Sequence, residues 1–145
     1  MINSSLSQLF YRMATLLEIR GENVFKVRAY TRAAENIEQL PEDIALLREQ
    51  DRLDEVAGLG KALKEKVGEY IDTGKVSAYE NLIQEVPESL LDLVEIPSIG
   101  PKKAGLFYRE LGIRDISGLK KASAEGKLLD LPGIQEKTVD KILKG

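Results

Sequence analysis

Neither histidine nor cysteine occurs anywhere in the 145-residue chain. Their absence excludes zinc fingers, histidine-phased metal sites, thiol nucleophiles, serine-histidine triads and any disulfide framework. Whatever chemistry the chain performs must come from carboxylates, lysine, tyrosine, serine or backbone amides. Long apolar runs are lacking too: none approaches the roughly 18 residues of a membrane-spanning helix. The first residues, Met1, Ile2 and Asn3, lack the basic and apolar regions of a signal peptide. The expectation is a soluble, cytoplasmic protein with no membrane contact and no metal ligands.

What is present is an ordinary globular balance of 43% apolar and 31% charged residues, enough to build a core in one domain or two small ones. The net charge of -3 argues, taken alone, against a polyanionic ligand. Its distribution argues the other way. Residues 20–32 carry Arg20, Lys26, Arg28 and Arg32 against Glu22, and residues 96–109 carry Lys102, Lys103 and Arg109 with no acid. Residues 35–55 hold eight acids against Arg48 and Arg52, and residues 76–95 hold five acids with no base. Such blocks allow a basic face to coexist with an acidic back, although solvated charged helix faces alone produce similar patterns.

Helical periodicity runs through the chain. Leu6, Leu9, Phe10, Met13, Leu16 and Leu17 recur at three- and four-residue steps after the candidate caps Ser4 and Ser5, predicting a first helix that Gly21 ends. Asn23 caps a second helix through Tyr30, Ala33, Ala34 and Ile37, stopped by Leu40 and Pro41. The alternation of Phe25, Val27 and Ala29 also fits a short strand, but the alanines that follow favour helix. A third helix is expected around Ile44 to Leu47, a fourth over Leu63 to Ile71 ending at Gly74, and a fifth over Val76 to Val86. Pro87, Pro97, Pro101 and Pro132 cut the remainder into short helices. The expected fold class is all-α: a small helical bundle over residues 1–86, then a second domain of short helices over residues 87–145, the two packed together without a flexible linker.

One turn recurs. Val56-Ala57-Gly58-Leu59-Gly60-Lys61, Ile96-Pro97-Ser98-Ile99-Gly100-Pro101 and Leu131-Pro132-Gly133-Ile134-Gln135-Glu136 each set an apolar residue, two turn residues, an apolar residue and a turn residue before a helix. Glycine permits positive φ and close approach of a ligand, and the helix start leaves amides unpaired, so the combination forms an anion site. The first copy keeps both glycines and is followed by Lys61, Lys64 and Lys66. In the second, Ser98 replaces the first glycine, while Pro101 suits the first helical position and Lys102 and Lys103 follow. The third has Gln135 for a glycine and Glu136 at the helix start, which opposes phosphate and predicts a structural role. The turn resembles the helix-hairpin-helix motif of DNA repair proteins, which implies grip on a phosphodiester backbone without base reading. That makes Gly58, Leu59, Gly60, Lys61, Lys64, Ser98, Ile99, Gly100, Lys102 and Lys103 the candidate backbone-binding residues.

On the helix after Gly60, Lys66 borders the apolar stripe of Leu63, Val67, Tyr70 and Ile71. Partial desolvation and the neighbouring cations Lys61 and Lys64 favour the neutral amine that a Schiff base with a sugar aldehyde requires. A snorkelling lysine with its stem on the core would occupy the same position.

Asn23-Val24-Phe25-Lys26-Val27-Arg28-Ala29-Tyr30, the first hairpin, Lys64-Glu65-Lys66-Val67 and Thr73-Gly74-Lys75 together resemble the amino-terminal region of family X DNA polymerases, over essentially the whole chain. The likeness is closest to bacterial and archaeal members and more distant to the lyase domain of DNA polymerase beta. It implies that Lys66 stands where that domain carries its Schiff-base lysine, that Lys26 falls on a 5′-phosphate-binding lysine and that Tyr30 lines the same pocket. Phe25 replaces a histidine that stacks on DNA, and Ala62 and Ala78 replace supporting phosphate-binding lysines. No nucleotidyltransferase palm with clustered aspartates follows, and the missing histidines separate the chain from the phosphoesterase domain of bacterial-type members.

The leading expectation is non-sequence-specific DNA binding at gaps, nicks or 5′-phosphate ends in repair, at the nucleoid and in company with other repair proteins. A deoxyribose phosphate lyase acting through Lys66 and a protein interaction module are the alternatives. No cofactor is required, beyond a monovalent cation for which the hairpin carbonyls are a candidate site.

Overall fold

The computed structural model describes residues 1–131; the third turn, from residue 132 onward, lies outside the described residues. Eight α-helices are present among them: α1 (Asn3–Arg20), α2 (Val24–Glu38), α3 (Ile44–Glu49), α4 (Lys61–Thr73), α5 (Ser77–Glu85), α6 (Leu90–Val94), α7 (Pro101–Leu111) and α8 (Ile116–Ala124). Short 3-10 turns at Leu53–Glu55 and Lys127–Asp130 complete the described chain, which contains no strand. The segment around Phe25 is therefore helical, as its alanine-rich continuation favours. No helix of the described residues is long and apolar enough to cross a membrane.

The organising element is α1, which packs against α2, α5, α6 and α7. Its apolar stripe puts Leu6, Phe10, Met13 and Leu16 wholly inside the core, each fully buried side chain contributing about 1.5–3 kcal/mol. Opposite it, α2 buries Ala33, Ala34 and Ile37, and the small alanines let the two backbones approach closely. The Ser7 hydroxyl uses that proximity to donate to the Ala34 carbonyl at 2.7 Å. The Phe10 and Tyr30 rings meet edge to face at 5.7 Å, the arrangement their quadrupoles prefer.

Ser4 and Ser5 do not cap α1: the helix begins at Asn3, with Ile2 at the cap position, two residues before Ser4, and no side-chain bond there. The buried Asn3 instead donates to the Glu42 carbonyl at 2.8 Å and accepts from the Ile44 amide at 2.9 Å. One amide side chain thus ties the start of α1 to the loop between α2 and α3. Asn23 caps α2 as expected, accepting from the Phe25 amide at 2.7 Å.

The helices of the second half share one continuous core with the first, through Leu90, Leu93, Ile99, Phe107, Leu119 and Leu128. The contact between α1 and α7 is unusually close. A Cβ on Gly105 would stand 2.3 Å from the Ile19 carbonyl oxygen, so only glycine fits between these helices. The same carbonyl accepts from the Arg109 guanidinium at 3.0 Å, placing a cation at the carboxyl end of α1, where the helix dipole favours it. This contact holds α7, and the turn in front of it, against the first bundle.

Candidate nucleic-acid interface

The two hairpins repeat one backbone conformation on different sequences. Gly58 has φ of 82° and Ser98 φ of 76°, both in the left-handed region. The following apolar residues, Leu59 and Ile99, are buried and anchor each turn. Gly60 and Gly100 then stand in extended conformation, with ψ of 176° and 179°, as the caps of α4 and α7. Serine therefore accepts at position 98 the geometry that glycine adopts at 58, at a cost of about 1–2 kcal/mol in backbone strain.

Neither α4 nor α7 has a side-chain cap or an acid in its first turn. In α2, α3 and α8 the first turn is already served by Asn23, Asp43 and Asp115, and at α5 the Ser77 amide donates to the Glu69 carboxylate at 3.0 Å. The amides opening α4 and α7 are left for an external acceptor, and their dipoles favour an anion. Lys61 and Lys102 are exposed beside them.

Other lysines of the hairpins are engaged within the protein. Lys64 pairs with the exposed Asp54 from the turn before the hairpin, so it is not an unscreened cation acting on Lys66. The Lys103 ammonium donates to the Ser98 carbonyl at 3.0 Å. Lys66 is half-buried on α4, and its charge acts on Glu69, whose carboxyl is held below its ordinary range first by the Ser77 hydroxyl and amide.

The first hairpin is clamped to α2. Asn36 donates its amide to the Ala57 carbonyl at 2.7 Å, and a Cβ on Gly58 would meet Asn36 at 2.9 Å and the Arg32 stem at 3.0 Å. Along the same face of α2, at helical spacing, lie Arg28 and Phe25. Phe25 is 73% exposed rather than a core residue, and it lines a cavity of about 480 Å³ with Arg28, Ala29 and Arg32. Neither arginine forms an ion pair among the described residues. An aromatic face and two available guanidiniums thus continue the hairpin surface. Sequence reasoning had counted Arg28 and Arg32 only as charge; their spacing from Phe25 and Asn36 was the signal that joined them.

Lys26 and Tyr30, one helical turn apart, line a second cavity of about 190 Å³ with Arg20, Ala78, Asn81 and Glu85. Tyr30 is buried, which pushes its phenol above its ordinary pKa. Ala78 does stand in the lining, so the lysine expected there by resemblance is replaced by a methyl group. Arg20 is an addition that sequence reasoning missed. Lys66 and Ala62 are not among the lining residues.

Glu35 closes the Phe25 cavity and Glu85 the Lys26 cavity; further acids collect elsewhere. A cavity of about 690 Å³ at the seam of α1 and α6 is lined by Glu88, Asp92 and Glu95 together with Tyr11 and Arg12. Burial first, then the charges of Glu35 and Glu38, raise the Tyr11 pKa. Glu35 and Glu38 of the first acidic stretch and Glu88, Asp92 and Glu95 of the second thus lie around Tyr11.

Comparison with known proteins agrees with this geometry. A family described as "Helix-hairpin-helix domain" matches residues 1–76, and one described as "SAM-like Helix-hairpin-helix tandem" matches residues 90–145. The "DNA polymerase/3'-5' exonuclease PolX" of Bacillus subtilis (strain 168) is 38% identical over 144 residues, covering 99% of this chain and 25% of the relative. "DNA polymerase lambda" of Arabidopsis thaliana is 28% identical over 120 residues, or 82% of this chain and 22% of the relative. The chain therefore spans about a quarter of the length of these relatives. With two hairpins of matching geometry and family matches over both halves, the chain belongs to the helix-hairpin-helix domain family, in the form found in the amino-terminal region of family X DNA polymerases.

Proposed function

We propose that the chain is a DNA-binding module that grips the phosphodiester backbone without reading base sequence. The observation carrying this reading is the pair of hairpins with one backbone conformation, each presenting an uncapped helix start and an adjacent exposed lysine. The relatives named as DNA polymerases support it. Phosphates accept from the amides of α4 and α7, Lys61 and Lys102 add charge, and Arg28 and Arg32 extend the contact along α2 while Phe25 offers a face for an unpaired base. Because these groups meet phosphate and not base edges, affinity depends on salt and hardly on sequence. With about four phosphates neutralised, log affinity falls by roughly 3.6 per decade of salt on duplex DNA. Fluorescence anisotropy on duplexes of unrelated sequence tests this, and absence of binding at low salt sinks it.

The preferred substrate in this proposal is a gap or nick bearing a 5′-phosphate, held by Lys26 and Tyr30 in the 190 Å³ cavity, within DNA repair. No step depends on a cofactor. At the carbonyls considered for a monovalent cation, Asn36 serves Ala57 and the Lys103 ammonium already serves Ser98.

A second reading, deoxyribose phosphate lyase chemistry through an imine on Lys66, draws on the half-buried seat of that lysine one turn before Tyr70, whose hydroxyl bonds to Ser5 at 2.9 Å. Borohydride should then trap a covalent adduct with abasic DNA. Equal trapping by Lys66→Ala removes Lys66 from the role.

A further inference from the structure

Arg20, the last residue of α1, is held from two sides. Its Nη2 donates to Glu22 at 2.6 Å and its Nη1 to Glu85, the last residue of α5, at 2.7 Å. Lys26 stands 3.9 Å from the same Glu22 carboxylate. The cavity lined by Arg20, Lys26, Tyr30, Asn81 and Glu85 thus holds two cations and one carboxylate, with Glu22 pairing both cations from outside its lining, and its strongest anion ligand is already occupied. The two carboxylates differ. The Glu22 side chain is 26% exposed and is shared with Lys26, whereas that of Glu85 is 61% exposed and has Arg20 as its one ion-pair partner among the described residues. Releasing Glu85 into water therefore costs little.

We infer that Arg20 is the residue that selects a terminal phosphate, and that Glu85 is an internal competitor which the phosphate displaces. This rests on the reading of the Lys26–Tyr30 cavity as a 5′-phosphate site and extends it to regulation of that site. A phosphate monoester carries about -1.5 to -2 charge at neutral pH and offers three acceptor oxygens, against a single charge on Glu85. It can take the planar guanidinium fork in a two-bond geometry that a compact ammonium cannot reproduce. An internal phosphodiester carries one charge, the same as the carboxylate it would have to displace, and gains little by the exchange. The exchange therefore favours chain ends over continuous backbone. It also compensates for Ala78, which contributes no charge to the lining: the cation comes from α1 instead of α5. Asn81, one helical turn after Ala78, supplies an uncharged amide to the same cavity.

The test compares affinities of the full chain for one gapped duplex carrying either a 5′-phosphate or a 5′-hydroxyl at the gap margin. The hydroxyl substrate reports the hairpins alone and serves as an internal check on folding. Wild-type protein should prefer the phosphate. Arg20→Gln should lower that preference about tenfold, with the hydroxyl affinity unchanged. Glu85→Gln should raise the preference about two- to fivefold. Arg20→Lys, which keeps the charge and loses the fork, should fall between Arg20→Gln and wild type. Preference retained in Arg20→Gln, or unmoved in Glu85→Gln, overturns the inference. If Lys26→Gln and Tyr30→Phe abolish the preference while Arg20→Gln keeps it, the phosphate site stands and the role of Arg20 fails. If wild-type protein shows no preference, the site itself is refuted and the exchange with it.

Discussion

Replacing Gly105 by alanine should loosen the junction of the two halves. Its Cβ would lie 2.3 Å from the Ile19 carbonyl oxygen and 2.9 Å from the Arg109 Nη1. The closest favourable carbon–oxygen contacts are about 3.3–3.6 Å, so α7 has to retreat from α1 by roughly 1 Å. The Arg109 tip can move aside, but the Ile19 contact is with backbone, and no side-chain rotation relieves it. Overpacking of this kind costs about 1–3 kcal/mol. The retreat also stretches the 3.0 Å bond from Arg109 to Ile19, worth about 1 kcal/mol at a partly exposed site. Against these stands a gain of about 0.8–1.0 kcal/mol for alanine over glycine in a helix interior. The net loss is about 2 kcal/mol. Urea denaturation followed by circular dichroism reads it as a lower midpoint at unchanged slope. Gly68→Ala is the control: its Cβ would meet the Arg48 guanidinium at 3.1 Å, the far end of a flexible side chain. Arg48 can shift while keeping Asp72, so that variant should be close to neutral. A Gly105→Ala protein as stable as wild type would refute the claim that backbone contact sets the α1–α7 distance.

Three further outcomes follow from the same geometry. Ser98→Gly should raise stability by about 0.5–1 kcal/mol, because relief of the left-handed backbone exceeds the added freedom of the unfolded chain; a thermal melt checks it, and DNA affinity should hold because the Ser98 carbonyl remains for Lys103. Asp54→Asn releases Lys64 and should steepen the slope of log affinity against log salt by about 1, as measured by anisotropy; an unchanged slope would show that Lys64 does not reach phosphate. Tyr79 is buried, donates to Glu88 and carries the Arg12 guanidinium 5.9 Å from its ring centroid; burial first, then Glu88, pushes its pKa up to about 12. The folded state therefore keeps a proton that the unfolded chain loses near pH 10, and stability that is full below pH 10 should drain as pH rises toward 12. After allowance for solvent screening this amounts to about 1–2 kcal/mol, and Tyr79→Phe should remove that part of the alkaline dependence in chemical denaturation at pH 9 and pH 11.

Periodicity and caps made the helices legible, because each depends on residues within one or two turns of one another. Asn23 could be read as a cap for that reason, and Gly58 with Gly60 as a turn. Asn3 could not, since its partners Glu42 and Ile44 are brought to it by the packing of α2 and the loop behind it. Serines at 4 and 5 looked like the better caps, yet burial of the helix start favoured the residue whose amide serves two backbone groups at once.

The candidate site divides in the same way. The hairpins are local, and their copies share a pattern that survives the exchange of glycine for serine at position 98. Whether a lysine near them is available to a phosphate is a tertiary question: Lys64 has Asp54 from the preceding turn, while Arg28 and Arg32 form no ion pair among the described residues, although Glu35 shares their cavity. Arg20 lay in plain view as a basic residue beside Glu22. Its significance depends on Glu85, 65 residues away in the chain, which reaches it only because α5 packs on α1. Charge read along a sequence counts cations; a fold decides which of them are already spoken for, and selectivity for one anion over another arises where that internal claim is weak enough to be exchanged.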